Sequence, residues 1–327
     1  MHRRWYLTHA GTALTLAVLA GCLERLEDTT GSDDETDGGA TDRTATREIS
    51  RGVGQLNRAA ISLEELESGL SDPESVSFDA AEPRAAIDTG RAHLLEATDH
   101  ADDTQREDID ELWRYADVLE ALVDALAAVT DETLEAEREA ITEALADERF
   151  ADARDSISTQ RAQVEDARGG LDDALALLDA LEHDRLEEYD TIPPTDLEDG
   201  ARALEPVIDT LEALAGGTES LVTGYEYLEE GDDHIDDGAF AAASEAFTAG
   251  EAVFEEANAT LEGGATGAPD GLEGYFYEPL CQSVALEEAA AALAAGADAA
   301  DDGDLFGARD HWEEADEYLE DAARCLG

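Results

Sequence analysis

Residues 150–181, FADARDSISTQRAQVEDARGGLDDALALLDAL, decide the fold: Phe150, Ile157, Val164, Leu171 and Leu178 recur every seven positions, while Ala153, Ala167, Ala174 and Leu181 fill the alternate seam. Seven residues are two turns of an α-helix, so these side chains form one apolar stripe on one face. The stripe predicts a single long helix over about 150–188, roughly 57 Å at 1.5 Å per residue. Gly169-Gly170 is the place where it can kink. Ile192-Pro193-Pro194 stops it, because a residue before proline is pushed out of the helical region, and Thr195-Asp196 reads as a fresh helix start.

Working outward, Ile109, Leu112, Ala116, Leu119, Val123 and Leu126 step by three and four residues, which is a second helical stripe. No long segment alternates in the manner of a strand. The chain is therefore expected to be all-α, a set of antiparallel helical hairpins or a bundle, without the alternating strands and helices that a two-lobed solute-binding protein needs. The main boundary falls at the prolines, separating a long-helix bundle at 47–190 from shorter hairpins at 195–327. From about Glu24 to Thr46 the residues are Asp, Thr, Gly, Ser and Glu with hardly an apolar side chain, so 22–46 reads as a disordered acidic tether.

The charge is extreme: 20 Lys plus Arg face 83 Asp plus Glu, for a net charge of -63, and every one of the twenty is arginine. Such a chain repels itself when the Debye length is about 10 Å and is screened in molar salt, where that length falls to about 3 Å. The composition resembles that of proteins from extremely halophilic archaea. It argues against nucleic acid as a partner, since binders of nucleic acid need basic patches. No Lys or Arg occurs from Ala203 to Ala308, so any partner of that region is expected to be basic or a cation.

At the N-terminus Arg3 and Arg4 precede an apolar run, Ala10 to Gly21, that is too short to span a bilayer, and Leu19-Ala20-Gly21-Cys22 closes it. These four residues resemble the lipobox of prokaryotic lipoproteins, and Arg3-Arg4-Trp5-Tyr6-Leu7 resembles the twin-arginine export pattern. The resemblance implies a signal peptide at 1–21 and a mature N-terminus at Cys22 that carries lipid. The protein would then sit on the extracellular face of the cell membrane, exported by the twin-arginine or the general secretory route.

In the C-terminal half, Gly238, Phe240, Ala243, Phe247 and Gly250 share their offsets with Gly303, Leu305, Ala308, Trp312 and Ala315, and Gly231 and Gly296 lie seven residues before the two lead glycines. The pattern resembles the tetratricopeptide repeat, in which two antiparallel helices meet at a glycine turn, small residues allow close approach and large ones fill the gap. The alternative is generic helical hairpins with the same packing needs. A turn at Gly303 would leave Cys281 and Cys325 each 22 residues away, at the same open end of a hairpin, and in an oxidising setting they are expected to form a disulfide.

Catalytic signatures are lacking: there is no Gly-rich phosphate loop, nucleophile elbow or zinc-spaced cysteine pair. Four histidines have an acid three residues on, His93 with Glu96, His100 with Asp103, His234 with Asp237 and His311 with Glu314, a spacing that puts both groups on one helix face. His93-Leu94-Leu95-Glu96 is similar to the His-x-x-Glu element of imelysin-like, iron-linked exported helical proteins, with Gly90 three residues before the histidine where that family has its glycine two before. That resemblance implies a metal ion at His93 and Glu96; the other reading is a set of surface or helix-capping histidines. The expected function is a non-enzymatic, cofactor-free protein-interaction scaffold on the cell surface, with a metal-binding lipoprotein as the alternative.

Overall fold

The computed structural model describes residues 38–67, 78–130, 132–146, 149–189 and 191–325; the export signal, Arg3, Arg4 and Cys22 lie outside them. Every regular element among the described residues is helical. In chain order these are α1 Gly38–Glu67, α2 Ala81–Thr98, α3 Asp103–Val129, α4 Glu132–Ala146, α5 Phe150–Asp179, α6 His183–Glu187, α7 Pro194–Asp236, α8 Phe240–Gly267, α9 Tyr277–Asp301 and α10 Leu305–Cys325. A 3₁₀ turn, Glu273–Phe276, leads into α9. Among these helices none is long and apolar enough to cross a membrane.

The two stripes read from sequence are buried: Ile157, Val164, Leu171 and Leu178 on α5, and Ile109, Leu112, Ala116, Leu119, Val123 and Leu126 on α3. Phe150 is half-buried. The long helix differs from expectation in two ways. It runs through Gly169 and Gly170 as one element, and it stops at Asp179, well short of 188. The stop is imposed by two buried carboxylates of α3. Glu111, 1% exposed, accepts the backbone N–H of Glu182 at 2.5 Å, and Asp108 accepts Arg185 Nη1 and the Tyr189 hydroxyl, both at 2.6 Å. Buried carboxylates left without donors are costly. Breaking the helix at 180–182 supplies these donors and docks α6 on α3.

The tether is also shorter than expected. Helix α1 begins at Gly38, inside the stretch read as linker, and Ala45 is fully buried in a stripe with Ile49, Val53 and Leu56. At the other boundary α7 starts at Pro194 as the prolines predict, yet the core changes hands later, within α7 itself. Leu197, Leu204 and Ile208 join the core of α1, α2, α3 and α5, whereas Leu214, Leu221 and Leu228 join that of α8 and α9. A 43-residue helix thus belongs to both halves, and residues 40–327 form one compact unit.

What sets the register of neighbouring helices differs along the chain. In the N-terminal half it is arginine. Arg84 and Arg91 of α2, seven residues apart, pair with Asp124 and Asp117 of α3, also seven apart and running the other way. Arg154, Arg161 and Arg168 of α5 repeat the device against Glu226, Glu219 and Glu212 of α7. In the C-terminal half it is glycine. Gly217, Gly224 and Gly231 step by seven along α7, and a Cβ on each would collide with Leu261, Phe254 and Phe247 of α8, which step by seven in the opposite sense. Large side chains of one helix fill sockets left open on the other, so the backbones approach closely. Tyr225 stacks on Phe150 and meets Phe254 edge-on, and burial pushes its hydroxyl up to about 12.

The C-terminal hairpins turn where expected. Gly238 and Gly303 have φ of +71° and +80°, a region that an L side chain enters only with strain. Trp312 sits over Gly296 as Phe247 sits over Gly231, although Trp312 is half-buried and Phe247 fully buried. Cys281 and Cys325 form a disulfide with their Cα atoms 5.8 Å apart, closing the end of the α9–α10 hairpin away from the Gly303 turn.

Candidate functional site

Among the described residues, the crossing of α1 and α2 brings three ligand-type side chains together. Gly52 and Gly90 face each other there: a Cβ on Gly52 would lie 3.2 Å from the Gly90 carbonyl oxygen, and one on Gly90 at the same distance from that of Gly52. Because the helices are antiparallel, Glu48, one turn before Gly52, meets His93, one turn after Gly90.

Glu48 is 3% exposed. Its Oε2 lies 2.9 Å from His93 Nδ1, and its Oε1 accepts Arg51 Nη1 at 2.7 Å and faces Arg47 Nε at 3.4 Å. Burial alone would raise this carboxyl's pKa, but the hydrogen bonds from Arg51 and His93 and the charge of Arg51 outweigh it and hold it below the usual carboxylate range. An ionised Glu48 can only accept, so the proton of the 2.9 Å contact is on His93 Nδ1, and Nε2 is the ring nitrogen that Glu48 leaves unengaged. Glu96, exposed on α2, completes a group of three whose ligand atoms lie within 4.8 Å of one another.

That arrangement has a definite chemical meaning. Both oxygens of Glu48 are engaged, and two guanidinium groups stand beside it, so Glu48 orients His93 and leaves His93 Nε2 and Glu96 as the two groups able to take a cation. A carboxylate that fixes the tautomer of a ligating histidine is the usual outer support of such a site. Two protein ligands with open positions suit a weakly held, solvent-accessible divalent ion and fall short of the three or four that a structural site uses.

The other histidine pairs are looser. His311 and Glu314 stand 3.8 Å apart, and His234 lies 3.7 Å from Glu230 on its preceding turn, not at Asp237. These are solvated surface contacts of little consequence for stability. Of the residues predicted from sequence, the structure therefore brings together His93 with Glu96, and Cys281 with Cys325; Arg3, Arg4 and Cys22 lie outside the described residues. Glu48 was not foreseen, because it is 45 positions from His93. The available signal was a pair of glycines, each one turn from a titratable residue. No known protein family, curated protein or solved structure matches this chain. Function must then be sought in the sites it carries rather than in its fold class.

Proposed function

We propose that the chain is an exported, lipid-anchored scaffold that holds a protein partner through its C-terminal hairpins, stacked in the manner of tetratricopeptide units, and performs no catalysis. The observation that carries this reading is the end of the bundle where both hairpins turn. The left-handed turns at Gly238 and Gly303 fall at that end, and beside the second stand Leu305, 67% exposed, and Phe306, 87% exposed. Asp236, Asp237, Asp301, Asp302 and Asp304 surround these turns, in a stretch without lysine or arginine. An apolar tip ringed by carboxylates fits a partner with an apolar cleft and basic flanks, the charges acting chiefly on specificity. A second copy of the same tip would bring like charges together and is disfavoured. Two departures from tetratricopeptide proportions accompany the reading: α7 and α8, at 43 and 28 residues, exceed the arms of a 34-residue repeat.

The lipid anchor is tested by Cys22→Ser, which is expected to release the protein from membranes or leave its precursor uncleaved; unchanged processing with full membrane retention would refute it. A photo-crosslinker placed at position 306 is expected to capture a protein at the membrane surface, and capture should fail when Leu305 and Phe306 are both changed to serine.

A second reading, a divalent-cation site at His93 and Glu96, is favoured by the convergence of Glu48 on the same histidine. Titration of the purified chain with Fe(II), Zn(II) or Mn(II) is expected to show one site of modest affinity, lost in His93→Ala and weakened about 10- to 100-fold in Glu48→Gln, where only the orientation of the ring is disturbed. Binding that survives His93→Ala would place the ion elsewhere among the carboxylates.

A further inference from the structure

We infer that α10 is a strap fastened on α9 by the Cys281–Cys325 disulfide, and that a dithiol reductant releases it. The inference concerns how α10 is held and does not rest on the scaffold reading. Helix α9 is the one on which α10 packs, and the side chains that α10 buries are Ala308, Ala315 and Ala322, seven residues apart. Trp312 adds a half-buried ring over Gly296. By contrast α8 buries Phe247, Phe254 and Leu261. An alanine contributes one methyl where a phenylalanine contributes a ring, so apolar burial holds α10 weakly.

Charge does not make up the difference. Helix α10 carries seven acids and two arginines, and α9 five acids with no lysine or arginine, so the two repel. The ion pairs of α10, Arg309 with Glu313, His311 with Glu314 and Arg324 with Asp321, lie within it, and among the described residues none joins it to α9. The Tyr318 hydroxyl registers the crowding: burial first, then Glu288 of α9 with Glu314, Glu317 and Asp321 of α10, raise its pKa. Two firm ties remain, the Gly303 turn at one end and the disulfide at the other. Cys281 is exposed and Cys325 half-buried, which leaves the bond open to exchange. A thiolate of the dithiol attacks Cys281 Sγ and the Sγ–Sγ bond breaks; Cys325 leaves as a thiolate and takes up the proton the reductant gave up. The reductant's second thiol then displaces Cys281, so two thiols form on the protein and one disulfide on the reductant. With Gly303 as pivot, α10 then swings off and bares the face of α9 around Gly296.

The full chain in molar salt is followed by hydrogen exchange with a mass-spectrometric readout, first oxidised and then in dithiothreitol. Amides of α10 are expected to exchange faster on reduction, by up to about a thousandfold, the factor that closing a loop of 44 residues contributes on the chain-entropy model, while those of α7 and α8 keep their rates. Re-oxidation after removal of the reductant should restore protection. Cys281→Ser with Cys325→Ser should show the fast α10 exchange with no reductant present, which separates loss of the bond from any other action of the dithiol. The inference is overturned if α10 keeps its protection once both sulfurs can be alkylated, since alanine packing alone then holds it. It is also overturned if α7 and α8 lose protection together with α10, which would make the bond a staple of the whole hairpin pair, or if the disulfide of the native protein resists dithiothreitol until the chain unfolds.

Discussion

Moved from molar salt to about 0.1 M, the protein is expected to lose most of its helical signal, and α8 and α9 are expected to go first. The driving force is the net charge of -63, whose repulsions reach about 10 Å in dilute salt and about 3 Å in molar salt. How that repulsion is opposed differs between the halves. In the N-terminal half Arg84, Arg91, Arg154, Arg161 and Arg168 stand between helices and neutralise facing acids. Residues 203–308 hold 25 acids and no lysine or arginine. There Glu287 is crowded enough that burial, followed by the charges of Glu255, Glu288 and Glu251, raises its pKa. A raised carboxyl pKa means that the folded state holds the proton more tightly. The associated stability is present below the ordinary carboxylate range and is lost as pH rises through the raised value, so at neutral pH this cluster opposes folding. Far-UV circular dichroism against salt reads the overall loss, and hydrogen exchange at intermediate salt reads its order. A helical signal indifferent to salt, or first exchange in α3 and α5, would remove charge repulsion as the limit on stability.

Parts of this architecture are legible in the sequence because they depend on one helix alone. The stripes of α3 and α5 are periodic, one face of each is buried, and a period of seven or of three and four states that directly. Features that depend on two helices were present as spacings but carried no meaning until the partner was known. Arg154, Arg161 and Arg168 form a visible heptad of arginines, and Gly217, Gly224 and Gly231 a visible heptad of glycines; which acids and which aromatics they meet is decided by antiparallel pairing across the α6 turn and the Gly238 turn. The end of α5 was unreadable for a similar reason. Leu181 fits the stripe and is buried, so periodicity continues past the break, while the group that demands the break, Glu111, lies 71 positions away. The start of α1 was missed because the side chain it buries at this end is Ala45, and a search for large apolar side chains passes over alanine in a Thr- and Asp-rich stretch. The candidate cation site was half legible: His93 and Glu96 share one turn, whereas Glu48 comes from another helix.

The two kinds of ladder also predict which contacts matter most. An interhelical arginine pair such as Arg161 with Glu219, each 45% exposed, is solvated and screened, so Arg161→Ala should cost about 0.2 to 1 kcal/mol, and less in molar salt. Phe254 is fully buried against Gly224 and edge-on to Tyr225. Truncating it loses the transfer free energy of the ring and leaves a cavity, and Phe254→Ala should cost about 3 to 5 kcal/mol. The same contact can be broken from the other side. A methyl at Gly224 would collide with the Phe254 ring, which is held by its neighbours and cannot swing away freely, so Gly224→Ala should cost about 1 to 3 kcal/mol through overpacking despite the better helix propensity of alanine. Since both changes act on one socket, Gly224→Ala placed in the Phe254→Leu background should cost less than it does alone, a coupling that a double-mutant cycle reads from urea unfolding in molar salt. Strict additivity would mean that the ring and the glycine do not share a contact. A Phe254→Ala loss no larger than that of Arg161→Ala would mean that the aromatic–glycine sockets contribute little to holding α8 on α7, and the contrast drawn between the two kinds of ladder would fail.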